Sequence, residues 1–153
     1  METPEISTWK LAFKAGLLTF ASFIIYFMIM RSMNLVHIME FRALNFFILF
    51  GGILAGFRSY KSLTKKKMEY LEGLRLGAAI STISVIPFAL VVGSYFLIVD
   101  PLLLQQLKDN APIMGAYITP FTVAATIMLE GMISGLVISF ALMQYFKNDS
   151  THV

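Results

Sequence analysis

Residues 117–146, YITPFTVAATIMLEGMISGLVISFALMQYF, form one long apolar run with a single carboxylic acid, Glu130, near its middle. About 20 apolar residues rising roughly 1.5 Å each suffice for a helix to cross a bilayer, so this run crosses even when tilted. An ionised acid at mid-membrane costs about 2.5 to 3.5 kcal/mol on insertion scales. Glu130 must therefore be protonated, partnered or beside water, and the remaining chain is read as helices arranged around it.

Three further runs have spanning length, at about 9–30, 36–57 and 74–99. With 58% hydrophobic residues, a mean hydropathy of +0.76 and only 14% charged residues, the solvent for most of the chain is lipid. The predicted fold class is all-α: one integral membrane domain, residues 1–153, built as a four-helix bundle with a short interfacial helix between spans three and four. The amino-terminal METPEISTWK is acidic before its first lysine, and no small-x-small cleavage pattern follows. The first apolar segment is thus read as a retained helix. There is no cysteine, which excludes disulfides and thiolate metal sites.

Small residues recur at helical spacing and mark the expected helix contacts. In span one the small or polar face is Ala15, Thr19, Ser22 and Tyr26; Trp9 and Lys10 suit the interface, and Lys14 can snorkel back to it. Span two carries Asn45, Leu49, Gly52 and Gly56 on one face. Span three carries Gly73, Gly77, Ser81 and Ser84, then Pro87, which frees the Ile83 carbonyl and predicts a kink. Span four carries Gly131, Gly135 and Ser139 beside a row at steps of four, Thr122, Thr126, Glu130 and Ser134. An antiparallel pairing sets Ser139 against Gly77 and Gly131 near Ser84, held by van der Waals contact and interhelical hydrogen bonds. The echo of Glu72-Gly73-x-x-x-Gly77 in Glu130-Gly131-x-x-x-Gly135 is read as shared packing chemistry, not a duplicated half.

Between spans two and three lies a cytoplasmic basic loop with Arg58, Lys61, Lys65, Lys66 and Lys67. Placing it on the cytoplasmic side puts nine basic residues inside (those five with Lys10, Lys14, Arg75 and Lys147) and three outside (Arg31, Arg42 and Lys108). Both termini are then cytoplasmic. The loop suits contact with anionic lipid, while its brevity and few aromatics argue against nucleic acid despite a net charge of +3. His37, Glu40 and Arg42 read as headgroup-level residues, with no chelating set around the histidine. Asp100-Pro101 reads as an N-cap and first-turn proline for the short helix 101–110, whose leucines face one side.

Counting residues from the cytoplasmic ends sets Tyr26, Asn45 and Ser84 at the depth of Glu130. These four make the expected buried polar cluster, with Glu130 a neutral acid among hydrogen-bonding groups and no cation at its level. Such an acid either bridges helices, as Asn or Gln would, or exchanges a proton. No catalytic set stands out: the histidines, His37 and His152, lie near the outer end and in the tail, and the glycines sit in apolar helices. Enzyme activity, cofactors and metal are not expected.

Residues 72–101, EGLRLGAAISTISVIPFALVVGSYFLIVDP, and 130–147, EGMISGLVISFALMQYFK, resemble a family of small four-span bacterial inner-membrane proteins designated domain of unknown function, family 4199. The resemblance implies a four-helix membrane domain and no assigned activity or ligand. The functional expectation is an accessory or scaffold protein packing against other membrane helices or lipid, within a homo-oligomer or a larger membrane complex. The alternative is a small proton-coupled transporter or channel using Glu130, although small four-span exporters carry their acid in the first helix, where this chain has none.

Overall fold

The computed structural model describes residues 8–36, 43–64 and 68–148. Their regular structure is entirely helical: α1 (Thr8–Ser32), α2 (Ala43–Thr64), α3 (Tyr70–Ile98), α4 (Pro101–Asp109) and α5 (Pro120–Asn148), with one 3-10 turn at Gly115–Tyr117. Four of them, α1, α2, α3 and α5, are long and apolar enough to span a membrane. The chain is a multi-pass membrane protein with an all-α four-helix bundle. His37, Glu40, Arg42, Lys65, Lys66 and Lys67 lie outside the described residues.

The turns follow local chemistry. α1 ends where Asn34 adopts φ 55°, with Leu35 N–H donating to Met30 O at 2.9 Å and Asn34 N–H to Arg31 O at 3.1 Å. This is the Schellman arrangement, and Asn tolerates its left-handed position better than most side chains. Asp100 caps α4 by accepting from Leu103 N–H at 3.0 Å, with Pro101 opening the helix. α5 begins at Pro120 behind a reciprocal pair, Thr122 N–H to Thr119 Oγ1 at 3.1 Å and Thr119 N–H to Thr122 Oγ1 at 2.8 Å. Threonine here performs what Glu does in a capping box.

The boundaries differ most from the expectation at the α2–α3 connection, and α5 starts at Pro120 rather than at 117, where the 3-10 turn Gly115–Tyr117 stands. α2 continues seven residues past 57, through Arg58 and Lys61 to Thr64, because its amphipathic last turns still have something to pack on. Tyr60 is buried there and donates to Glu72 Oε2 at 2.9 Å. α3 starts at Tyr70, before the apolar run begins, with Glu72 in its first turn accepting from Glu69 N–H at 3.4 Å.

At the centre of the bundle, α3 packs on α1, α2 and α5 and runs without interruption through Pro87. Of its most apolar 18 residues 56% are buried, against 11% for α5, so the last helix offers most of its circumference to the surroundings. Against α1 the contact is aromatic. Phe23 stacks on Phe88 at 5.0 Å between ring centroids, and Phe27 meets Tyr95 edge-on at 5.3 Å.

Against α5 the contact is a stripe of small residues. A Cβ built on Gly77 overlaps Ser139 Oγ and comes within 2.6 Å of Ser139 Cβ; one on Gly135 overlaps Ser81; one on Gly131 lies 2.6 Å from Val85; one on Gly73 overlaps Met143. These pairs step by four along both helices in opposite directions, which makes α3 and α5 antiparallel and close-packed. On α2, Gly52 meets Thr19 and Gly56 meets Ala15 and Ile80 in the same manner. The Glu-Gly echo thus has a physical origin: its glycines line the two sides of one contact.

The expected interhelical hydrogen bonds do not hold this contact. Ser139 donates to Gly135 O at 2.6 Å, Ser81 to Gly77 O at 2.8 Å, Ser84 to Ile80 O at 2.8 Å and Thr19 to Ala15 O at 2.8 Å, all on their own helices. The hydroxyl finds a carbonyl one turn back without crossing the interface, which satisfies its donor where water is absent. Helix association here is van der Waals packing through small residues.

Candidate functional site

The polar side chains were expected to converge on Glu130 inside the bundle, and the structure separates them. Ser84 is fully buried between helices; Asn45 and Tyr26 are half-buried; Glu130 is exposed on the outward side of α5. The reason is angular. Gly131 and Gly135 take the inward line because they permit the closest approach to α3, and successive helical residues are rotated by about 100°. The residue before Gly131 is therefore turned out of the interface. Counting residues gives depth along a helix but not direction around it.

Depth also needs correction. The pairs Gly52/Thr19 and Gly56/Ala15, continued by steps of four, set Asn45 opposite Tyr26. The α1 to α3 contacts of Phe23 with Phe88 and Arg31 with Tyr95 carry that level to about Val91. Gly131 lies beside Val85 instead, so Tyr26 and Asn45 are roughly one helical turn from the level of Glu130, towards the far end. Ser84 alone shares the level of Glu130. The buried Oδ1 of Asn45 has no hydrogen-bond partner among the described residues.

What Glu130 does share is a face. Thr122, Thr126 and Glu130, at steps of four, are all exposed along α5, with Ser134 half-buried at the next step. The Thr126 hydroxyl donates to Thr122 O at 2.8 Å and the Thr122 hydroxyl to Tyr117 O at 2.7 Å. Leu129, Ile133, Leu136, Val137 and Phe140 flank the row and are also exposed. The arrangement is a polar line set in an apolar surface on the least enclosed helix.

No family model matches the chain, and neither a curated protein nor a solved structure does so. The assignment of a role therefore rests on the geometry of the chain itself.

Charge is divided between the two ends of the bundle. Lys10 and Lys14 open α1, Arg58 and Lys61 close α2, Arg75 lies near the start of α3 and Lys147 near the end of α5. The antiparallel pairings bring all of these to one end. The opposite end holds a cluster that sequence reasoning missed. Arg31 pairs with Asp100 and donates from Nε to Tyr95 Oη at 3.1 Å, tying the end of α1 to the end of α3 and the cap of α4. Its signal was present: a cation ending one span and an acid ending another on the same side. Leu103 is buried beneath α4, with Leu104 and Leu107 partly so, and the exposed Gln105, Gln106 and Asp109 face away.

Proposed function

We propose that this chain is an accessory or scaffold protein of a bacterial inner membrane, with both termini cytoplasmic, that packs against other membrane helices through the outward face of α5. The carrying observation is the row of Thr122, Thr126 and Glu130 on the exposed side of the least buried span. Polar groups at membrane depth are expensive against acyl chains, and contact with another helix lowers that cost by packing and by hydrogen bonds averaging about 0.6 kcal/mol each. The resemblance of spans three and four to the four-span family belongs to this proposal, and it brings no activity with it. Enzyme chemistry has no place in the reading.

The absence of native cysteine makes the test direct. Ile133→Cys places a thiol one turn from Glu130, and Leu90→Cys places one on exposed α3 as a control. Cross-linking in native membranes should give a discrete stoichiometric product from Ile133→Cys and none from Leu90→Cys. The product should survive Glu130→Gln, which keeps a hydrogen-bonding group, and weaken with Glu130→Leu. If no product forms, or both sites cross-link alike, the scaffold reading fails. The transport alternative is separated by the same substitution: if Glu130→Gln alone abolishes a pH-dependent flux in reconstituted vesicles, the acid exchanges protons.

A further inference from the structure

At the basic end, α2 and α5 leave an open groove of about 420 Å³ lined by Leu54, Arg58, Lys61, Ser62, Tyr145 and Phe146. Both helices finish there, so the negative ends of two backbone dipoles favour cations at this place. Arg58 and Lys61 lie three residues apart on α2, hence on one face. Lys61 is positioned rather than merely present: its ammonium lies 5.5 Å from the centre of the Phe146 ring, and that ring packs on buried Phe57 at 6.0 Å. Cation and aromatic ring are thereby held as one wall.

The lining is graded along the helix axis. Leu54 is apolar, Arg58 follows one turn on, and Lys61 and Ser62 come last, all within about 12 Å of axial rise. The exposed Tyr145 adds an apolar ring with a polar tip, the shape favoured at headgroup level. Among the described residues, no acidic side chain lines the groove. A free anion would use the cations but not the Leu54 floor, and an acyl chain would use the floor but not the cations.

We propose that this groove binds the phosphodiester headgroup of an anionic phospholipid. Arg58 forks onto the phosphate oxygens, Lys61 supplies the second charge, and Leu54 with the Tyr145 ring receives the first acyl carbons. The site is separate from the outward face of α5, because Tyr145 lies fifteen residues beyond Glu130, about 22 Å along the helix.

The test uses the full chain in mild detergent, equilibrated with equal amounts of phosphatidylglycerol and phosphatidylcholine of the same acyl chains and read by native mass spectrometry. The native chain should retain phosphatidylglycerol about 25-fold better, from roughly a factor of five for each of the two basic residues near an anionic lipid. The double variant R58Q/K61Q should bind both lipids equally. Ser62→Asp should cut the preference to about fivefold while leaving both cations in place, which separates loss of binding from loss of folding. Lys10→Gln, basic and at the same end but outside the groove, should keep the preference. Equal retention by the native chain, or a loss as large in Lys10→Gln, overturns the proposal. Millimolar inorganic phosphate should leave the lipid bound; displacement by phosphate alone would show a free-anion site and overturn it as well.

Discussion

Gly51 and Gly77 are both glycines in apolar helices, yet they should answer a methyl group in opposite ways. At Gly77 an added Cβ overlaps Ser139 Oγ and approaches Ser139 Cβ to 2.6 Å, so α3 and α5 must part along their whole stripe. Overpacking of this kind costs about 1 to 3 kcal/mol, more than the helix gains from alanine. At Gly51 nothing lies within 4 Å. Gly77→Ala should lower the thermal unfolding midpoint in detergent, while Gly51→Ala should hold or raise it. Helical spacing already separated these two in the sequence, since Gly52 and Gly56 fall on the contact face of α2 and Gly51 does not. Glu130 was legible only in part. Its depth could be counted, but its direction depended on which neighbouring residues took the inward line, and that is decided by the fit to α3.

Among the elements, the start of α4 shows how far local rules reach. Asp100 before Pro101 is readable as a cap from chemistry within a few residues, and the Leu103 N–H does donate to it. The second role of Asp100, pairing with Arg31 sixty-nine residues earlier, follows only from tertiary packing. Two substitutions separate the roles. Asp100→Asn keeps a capping oxygen but removes the charge, so the Leu103 amide should stay protected from hydrogen exchange while α1 and α4 part more readily. Asp100→Ala removes both, with the cap alone worth about 1 kcal/mol, and exchange across α4 should rise. Equal exchange in the two variants would show that the ion pair, not the cap, holds the helix. The far end of α2 was less legible for a related reason. Hydropathy falls at Arg58, but the helix continues because Tyr60 is buried and bonded to Glu72, a partner across a turn that hydropathy cannot register.

The molecule as a whole is asymmetric along its long axis. Antiparallel packing gathers Lys10, Lys14, Arg58, Lys61 and Arg75 at one end and leaves Arg31 and Lys108 at the other, with Arg31 neutralised by Asp100. Under the proposed placement in a bacterial inner membrane, positive charge resists transfer against the membrane potential, and the basic end should face the cytoplasm with α4 on the outer surface. Single cysteines decide this in a chain that has none of its own. Gln105→Cys sits on the exposed side of α4 and Lys10→Cys at the opposite end, both accessible in the folded bundle. A membrane-impermeant maleimide added to cells with a permeable outer envelope should label Gln105→Cys at once, and Lys10→Cys only after the inner membrane is opened. The reverse pattern would invert the bundle and place the proposed headgroup groove in the outer leaflet. Labelling of both sites in intact cells would mean that the two ends do not face separate compartments, which is incompatible with four spanning helices packed as described.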